Sequence, residues 1–304
     1  MKRFLLSFFA MFLCVLSLSA EGTITLKTSK AKGEQLTIRA YCATAKESFT
    51  IDWGDGDAKF YSIDPNGWAY SQYARGDVKG DVITIKGDIV FFECTDSHLT
   101  SFTTSGMTKL ENIDLSNNDL TSFEATDLTA LKQLNLKGNK LGTTDDGKFD
   151  ITAAVPTLEV LNINDNNIGS MSLKACVNLI HFYANNNGDM GAVVFPDGSE
   201  KLETIEMNNC GLAHFYPISL PNLKTLYMNN NYLMEQEEGG SYPSLQDLDV
   251  SHNYLTELYV TNFPKLERLD CSNNQLTVLN VSQNPELNSL KCASNKIKYL
   301  NTSK

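Results

Sequence analysis

Apolar and polar residues alternate with a fixed beat through residues 88–304. In Leu266-Glu267-Arg268-Leu269-Asp270-Cys271-Ser272-Asn273-Asn274-Gln275-Leu276, apolar or cysteine side chains fall at positions one, four, six and eleven, and Asn at nine. The same frame opens at Leu110, Leu131, Leu158, Leu179, Leu202, Leu223, Leu245, Leu266 and Leu287, at steps of 21, 27, 21, 23, 21, 22, 21 and 21 residues. Ile89, 21 residues before Leu110, opens an imperfect first unit. Position nine reads Asn118, Asn139, Asn166, Asn187, Cys210, Asn231, Asn253, Asn274 and Asn295. Alternation at four, five and six predicts a short strand with its fourth and sixth residues inward and its fifth outward. No unit can bury that face alone, so successive strands must stack in parallel at about 4.8 Å. Asn has a donor and an acceptor, and a stacked ladder of it can satisfy backbone groups that the turn would otherwise leave unpaired.

A period of 20–29 residues with this spacing is a leucine-rich repeat. The expected fold is therefore a solenoid with a parallel sheet on its concave face. Twenty-one residues leave little room for a helix on the return side. There, 255–260 and 276–282 alternate again, which predicts short strands or turns. The longer units insert at 143–147, 193–199 and 235–240, expected as surface loops. Residues 21–87 do not repeat. Their alternating stretches 23–26, 35–41, 48–52 and 82–86, separated by Gly- and Pro-containing turns, predict a small β-sandwich capping the solenoid. The domain reading is a signal peptide at 1–20, a cap at 21–87 and about ten repeats at 88–304.

The first twenty residues fit export: Met1-Lys2-Arg3, an apolar run at 4–18, then Ser19-Ala20 before the expected cut. The run is shorter than the ~20 residues a spanning helix needs, and Leu13 before Cys14 does not suit lipidation. The chain is expected to be soluble after cleavage, with no membrane insertion, at the cell surface, outside the cell or in the periplasm. Losing Lys2 and Arg3 takes the net charge from −11 to −13. That acidity disfavours nucleic acid and anionic membranes as partners. Residues 287–304 differ, carrying Lys291, Lys296, Lys298 and Lys304 and no acid. Such charge protects an open sheet edge, or marks it as a docking surface. Of the remaining cysteines, Cys271 and Cys292 stand at inward position six, as Cys94 does in the first unit, and Cys210 stands in the ladder. They read as small buried groups rather than a disulfide framework.

Outward position five reads Asp114, Asn135, Asn162, Tyr183, Glu206, Tyr227, Asp249, Asp270 and Lys291. Tyrosine offers a rigid apolar ring with a polar tip, and beside carboxylates it suits a protein or glycan partner. The expected partner-binding residues are His181, Tyr183, Glu206, Tyr227, Tyr232, Asp247, Asp249, His252, Tyr254 and Asp270. Asp52, Asp55 and Asp57 in Asp52-Trp53-Gly54-Asp55-Gly56-Asp57 could supply oxygen ligands to calcium, or simply belong to a hairpin turn. No cofactor is expected. Catalysis finds little support: the four histidines fall in different repeats, and H-E-x-x-H, G-x-S-x-G and phosphate-cradling glycine loops are absent. Asp249 and Asp270 pair only on an open face, where burial cannot tune them for acid–base work.

Ser272-Asn273-Asn274-Gln275-Leu276-Thr277 and Val281-Ser282-Gln283-Asn284-Pro285 resemble the short repeats of exported, internalin-like leucine-rich-repeat proteins of Bacteroides-type bacteria. Phe49-Thr50-Ile51-Asp52-Trp53-Gly54-Asp55-Gly56, with Ile83-Thr84-Ile85-Lys86-Gly87, resembles their amino-terminal sandwich, similar to polycystic-kidney-disease-type domains. The resemblance implies a surface or envelope location and binding of host or neighbour-cell proteins or glycans. The expectation is an exported, non-catalytic binding protein, an adhesin or recognition module, working through its concave face. The alternative is an envelope assembly component docking through its C-terminal repeat edge.

Overall fold

The computed structural model describes residues 21–44, 48–62, 72–143, 148–151, 156–196, 199–214, 219–236 and 240–302. The expected signal segment 1–20, residues 144–147, 197–198 and 237–239 of the three expected loops, and Lys304 lie outside the described residues.

Eight strands open the chain: β1 (Thr23–Thr28), β2 (Gln35–Cys42), β3 (Ser48–Asp52), β4 (Lys59–Ser62), β5 (Gln72–Asp77), β6 (Ile83–Lys86), β7 (Ile89–Glu93) and β8 (Leu99–Ser105). Their period-two patterning is strict where it is longest: along β2 every second residue, Leu36, Ile38, Ala40 and Cys42, is buried. One antiparallel sheet runs in the order β4-β3-β6-β1-β8. On the other side β2 lies antiparallel between β5 and β7. Both groups bury their apolar faces in one core, where Ile24 and Leu26 of β1 join Ile38 of β2 and Phe92 of β7.

The repeats then add β9 (Asn112–Asp114), β10 (Gln133–Asn135), β11 (Lys148–Asp150), β12 (Val160–Asn162), β13 (Ser170–Ser172), β14 (His181–Tyr183), β15 (Ala192–Val194) and β16 (Thr204–Glu206). They continue with β17 (Thr225–Tyr227), β18 (Asp247–Asp249), β19 (Arg268–Asp270), β20 (Val278–Asn280), β21 (Ser289–Lys291) and β22 (Tyr299–Asn301). One strand per unit joins a long parallel ladder, β7-β9-β10-β12-β14-β16-β17-β18-β19-β21, extended past β7 by β2 and β5. The result is a leucine-rich-repeat solenoid of about nine turns, with no helix among the described residues. Strand β7 joins its two parts, parallel to β9 on one side and antiparallel to β2 on the other. Strands of three residues are too short to persist alone, so their order comes from stacking. Leu110, Leu131, Leu158, Leu223, Leu245 and Leu266 at position one are wholly buried.

The ladder holds these turns together. Asn139 Nδ2 donates to the carbonyls of Leu115 and Leu136 at 3.0 and 2.9 Å, and its Oδ1 accepts the Leu120 N–H at 3.0 Å. Asn118, Asn166, Asn187, Asn231, Asn253, Asn274 and Asn295 repeat that geometry. Cys210 donates its thiol to the Ala184 carbonyl but has no side-chain oxygen, and its own backbone carbonyl accepts the Met190 N–H at 2.7 Å. Each rung is preceded by a residue in the left-handed region, among them Asn117, Asp165, Asn186 and Asn273, with φ from 56° to 60°. Asn, Asp and Gly tolerate that conformation best, which explains the Asn-Asn and Gly-Asn pairs.

Short strands form on the return side as the parallel sets β11-β13-β15 and β20-β22; β20 falls in the expected stretch 276–282, whereas 255–260 holds no strand. Three residues before six of the position-one leucines, Met107, Leu128, Cys176, Leu220, Tyr242 and Phe263 form another buried stripe. A tight turn follows, as in the Leu266 N–H bonded to the Phe263 carbonyl at 3.1 Å. The expected loop at 193–199 needs correction: Val193 and Val194 belong to β15, and Phe195 and Ser199 are buried. Sequence patterning also missed β4 and β5, and did not anticipate that β8 leaves the first repeat to pair with β1.

Candidate binding face

The register of the long sheet aligns every outward fifth position. Tyr183 lies beside Glu206, Glu206 beside Tyr227, Tyr227 beside Asp249, and Asp249 beside Asp270. Tyr183 and Tyr227 are therefore two strand spacings apart, about 10 Å, with Glu206 between them. The third-position row runs parallel to it, through His181, Thr204, Thr225, Asp247 and Arg268. The His181 and Tyr183 rings lie nearly parallel, with centroids 6.2 Å apart, and His181 Nδ1 is 3.1 Å from the Thr204 hydroxyl.

Hydrogen bonds fix most of these side chains before any partner arrives. Asn185 Nδ2 donates to Glu206 at 2.9 Å, and Asn229 Nδ2 donates to Asp249 at 2.9 Å. Asp249 and Asp270 each accept the N–H and the hydroxyl of the Ser two residues on. Asp247 is largely buried and takes a two-point contact from the Arg268 guanidinium. Lys291 Nζ lies 3.2 Å from Asp270. Burial pushes the Tyr183 phenol up, with Glu206 adding to it; burial, then Asp247, does the same for Tyr227. Both phenols stay protonated through the neutral range and can donate. Burial acts to raise Asp270, but the Ser272 hydroxyl and N–H together with Lys291 hold it below the usual carboxylate range.

Three expected face residues sit elsewhere. Tyr232, His252 and Tyr254 lie beyond the strands, on the turn around the ladder. His252 has φ 55°, and this left-handed residue swings the chain away from the sheet. Tyr232 and Tyr254 instead stack on one another at the solenoid's edge, with centroids 6.1 Å apart, and both are exposed. Asn185, Asn208 and Asn229, two residues past the outward fifth position, form a second side-chain ladder. Asn185 Oδ1 accepts the Asn208 N–H, and Asn208 Oδ1 accepts the Asn229 N–H, both at 2.9 Å.

Asp52, Asp55 and Asp57 do not converge. Asp52 Oδ1 accepts the N–H groups of Gly54, Asp55 and Gly56 at 2.8, 3.1 and 3.0 Å, while Lys79 pairs with Asp55 and Lys59 with Asp57. The segment is the turn between β3 and β4, and Gly54 is packed so closely that a Cβ there would lie 2.4 Å from the Gly80 nitrogen. Among the described residues no group of three or more His, Cys, Asp or Glu side chains could hold a metal. No disulfide joins the cysteines among the described residues, and burial pushes Cys94 and Cys271 up to about 12. No helix among them is long and apolar enough to cross a membrane.

Sequence reasoning missed a cleft on the outward face of the sheet. The cleft, of about 430 Å³, lies over β7, β9, β10, β12 and β14, with Arg39 of β2 at one end and Tyr183 at the other. The Arg39 contribution has no repeat signal, because β2 enters the sheet from outside the periodic region.

No protein-family model matches the sequence, and no curated protein matches it. Solved structures do. The functional domain of InlJ from Listeria monocytogenes, which includes a cysteine ladder, aligns with a TM-score of 0.54 and 19% identity over 74% of this chain and 56% of that one. The octameric complex of Latrophilin 3, Unc5D and FLRT2, in which FLRT2 carries the leucine-rich repeats, aligns at 0.48 and 21% over 61% and 63%. An internalin, InlF, also from Listeria monocytogenes, aligns at 0.37 and 16% over 69% and 79%. This chain spans less than two thirds of the length of the first two. The likeness is one of fold, and the structural neighbours include internalin-type leucine-rich-repeat proteins.

Proposed function

We propose that the chain is an exported, non-catalytic binding protein that recognises a protein or glycan through the outward face of its long sheet. In this reading residues 1–20 are a signal peptide, 21–87 a β-sandwich cap and 88–304 the binding solenoid. Its place is the cell surface or envelope, and its role that of an adhesin or recognition module.

One observation carries the proposal: Tyr183 and Tyr227 stand in one row on either side of Glu206, whose carboxylate is fixed by Asn185. Rigid aromatic anchors beside ordered polar groups give area and direction at little entropic cost. Fluorescently labelled 21–304 chain applied to cultured epithelial cells and to neighbouring bacterial cells tests it. Saturable binding should weaken about tenfold or more when Tyr183→Ala and Tyr227→Ala are combined, as for loss of hot-spot side chains, with the unfolding midpoint unchanged. Equal binding by the double variant would remove the face from consideration. Protease treatment of intact cells, with lysed cells as control, tests export through release of peptides from 88–304.

A further inference from the structure

The outward face changes character at Tyr183. Towards β21 it carries carboxylates and tyrosines; towards β7 it is a cleft of about 430 Å³ floored by carboxamides, chiefly Asn112, Gln133, Asn135 and Asn162. That volume lies within the ~300–1,000 Å³ typical of small-ligand sites. Its length, from β7 to β14, is four strand spacings, or about 19 Å.

Of the charges in the cleft, Arg39 is matched by Glu93, and Asp114 is held by neutral groups alone. Arg39 Nη1 lies 3.2 Å from Glu93 Oε2, and the guanidinium sits 5.3 Å from the centre of the Phe91 ring. Asp114 accepts the N–H and hydroxyl of Ser116, and Asn135 Nδ2 at 3.0 Å. The one cation is thus already paired, and the negative charge left on Asp114 would repel an acidic ligand. An extended peptide would gain little from its main chain, because the floor is a sheet face rather than an open strand edge. Carboxamides, by contrast, both donate and accept, as hydroxyl groups do. Tyr183 closes one end with an aromatic ring, a wall for the apolar face of a ring-shaped polar molecule.

We infer that this cleft is a separate binding site for a neutral oligosaccharide longer than one pyranose ring. Its hydroxyls pair with Gln133, Asn135 and Asn162, and one sugar face packs on Tyr183. The site lies on the N-terminal side of the proposed partner face and shares only Tyr183 with it, so the test avoids that residue.

The 21–304 chain is applied to a printed array of neutral and acidic oligosaccharides and, in parallel, to an array of random peptides. Calorimetry follows with the best neutral trisaccharide. Affinity for that trisaccharide should fall about tenfold or more in Gln133→Ala with Asn162→Ala, the loss expected for several hydrogen bonds, and stay unchanged in Tyr227→Ala. Failure to bind any neutral oligosaccharide, or binding only to acidic glycans or peptides, would overturn the inference. So would full affinity in the Gln133 and Asn162 variant with an unaltered unfolding midpoint, or loss of affinity in Tyr227→Ala alone. Loss of cell binding in Tyr227→Ala with trisaccharide affinity intact would separate the two sites.

Discussion

Asparagine serves two regions of each repeat with opposite consequences. Asn187, in the ladder, is 1% exposed; its Nδ2 donates to the Ile163 and Ala184 carbonyls and its Oδ1 accepts the Ile168 N–H. Asn162, on the outward row, is only partly buried, and its Oδ1 accepts the Asn164 N–H of its own turn. The first residue closes three backbone groups that water cannot reach, so the solenoid depends on it. The second stands on the open face, and nothing in the stacking requires its amide. The same residue type marks fold in one row and candidate recognition in the other, and position in the frame separates them.

Breaking one side of that contrast should have the largest effect. Asn187→Ala leaves three buried groups unpaired and should cost about 3 kcal/mol or more; Asn162→Ala should stay within about 0.5 kcal/mol. Urea unfolding of both variants measures the difference, and equal losses would mean that the two rows share the structural work.

A smaller effect should come from the left-handed position before the ladder. His252 and Ser294 stand there with φ of 55° and 56°, where other repeats place Asn, Asp or Gly. His252→Asn should raise stability by about 1 kcal/mol or less, since Asn tolerates this region better than a bulkier side chain. A fall in the thermal midpoint would show that the contact between His252 Nε2 and Asn273 Nδ2, at 3.1 Å, matters more than the backbone.

The smallest effect concerns pH. Lys140, then His98, holds the Asp119 carboxyl below its usual range. A carboxylate depressed on folding stabilises fully above its unfolded value, near pH 4, and loses that contribution as pH falls through the folded one. Lys140 and His98 are well exposed, so the worth is about 0.5 kcal/mol or less. Asp119→Asn should therefore flatten the decline in stability below pH 4 while changing little at pH 7. Unfolding curves from pH 2 to 7 check this, and an unchanged acid limb would contradict it.

How much of this was legible in the sequence follows from local periodicity. The Leu and Asn positions could be counted because stacking imposes the same contacts on every unit. Cys210 could be assigned to the ladder by count, but its compensation through a backbone carbonyl could not. Alternation carried the outward reading of position five correctly, as in Tyr183 and Tyr227. It failed at Tyr232 and Tyr254, because the left-handed residue before each rung resets the direction of the chain. Arg39 was invisible as part of a cleft, since antiparallel pairing of β2 with β7 is a long-range event without a repeat. The stretch 193–199 was misread because an insertion in length became a paired return strand and a buried Phe195.

The most direct test of recognition through the long sheet uses a photo-cross-linking amino acid at two sites in otherwise wild-type chains. Glu206 marks the tyrosine row, and Val194, exposed on β15, marks the separate return sheet. Each chain is irradiated on the cells that bind it. Partner adducts from position 206 and none from 194 are the predicted result; equal adducts from both, or adducts from 194 alone, would contradict it.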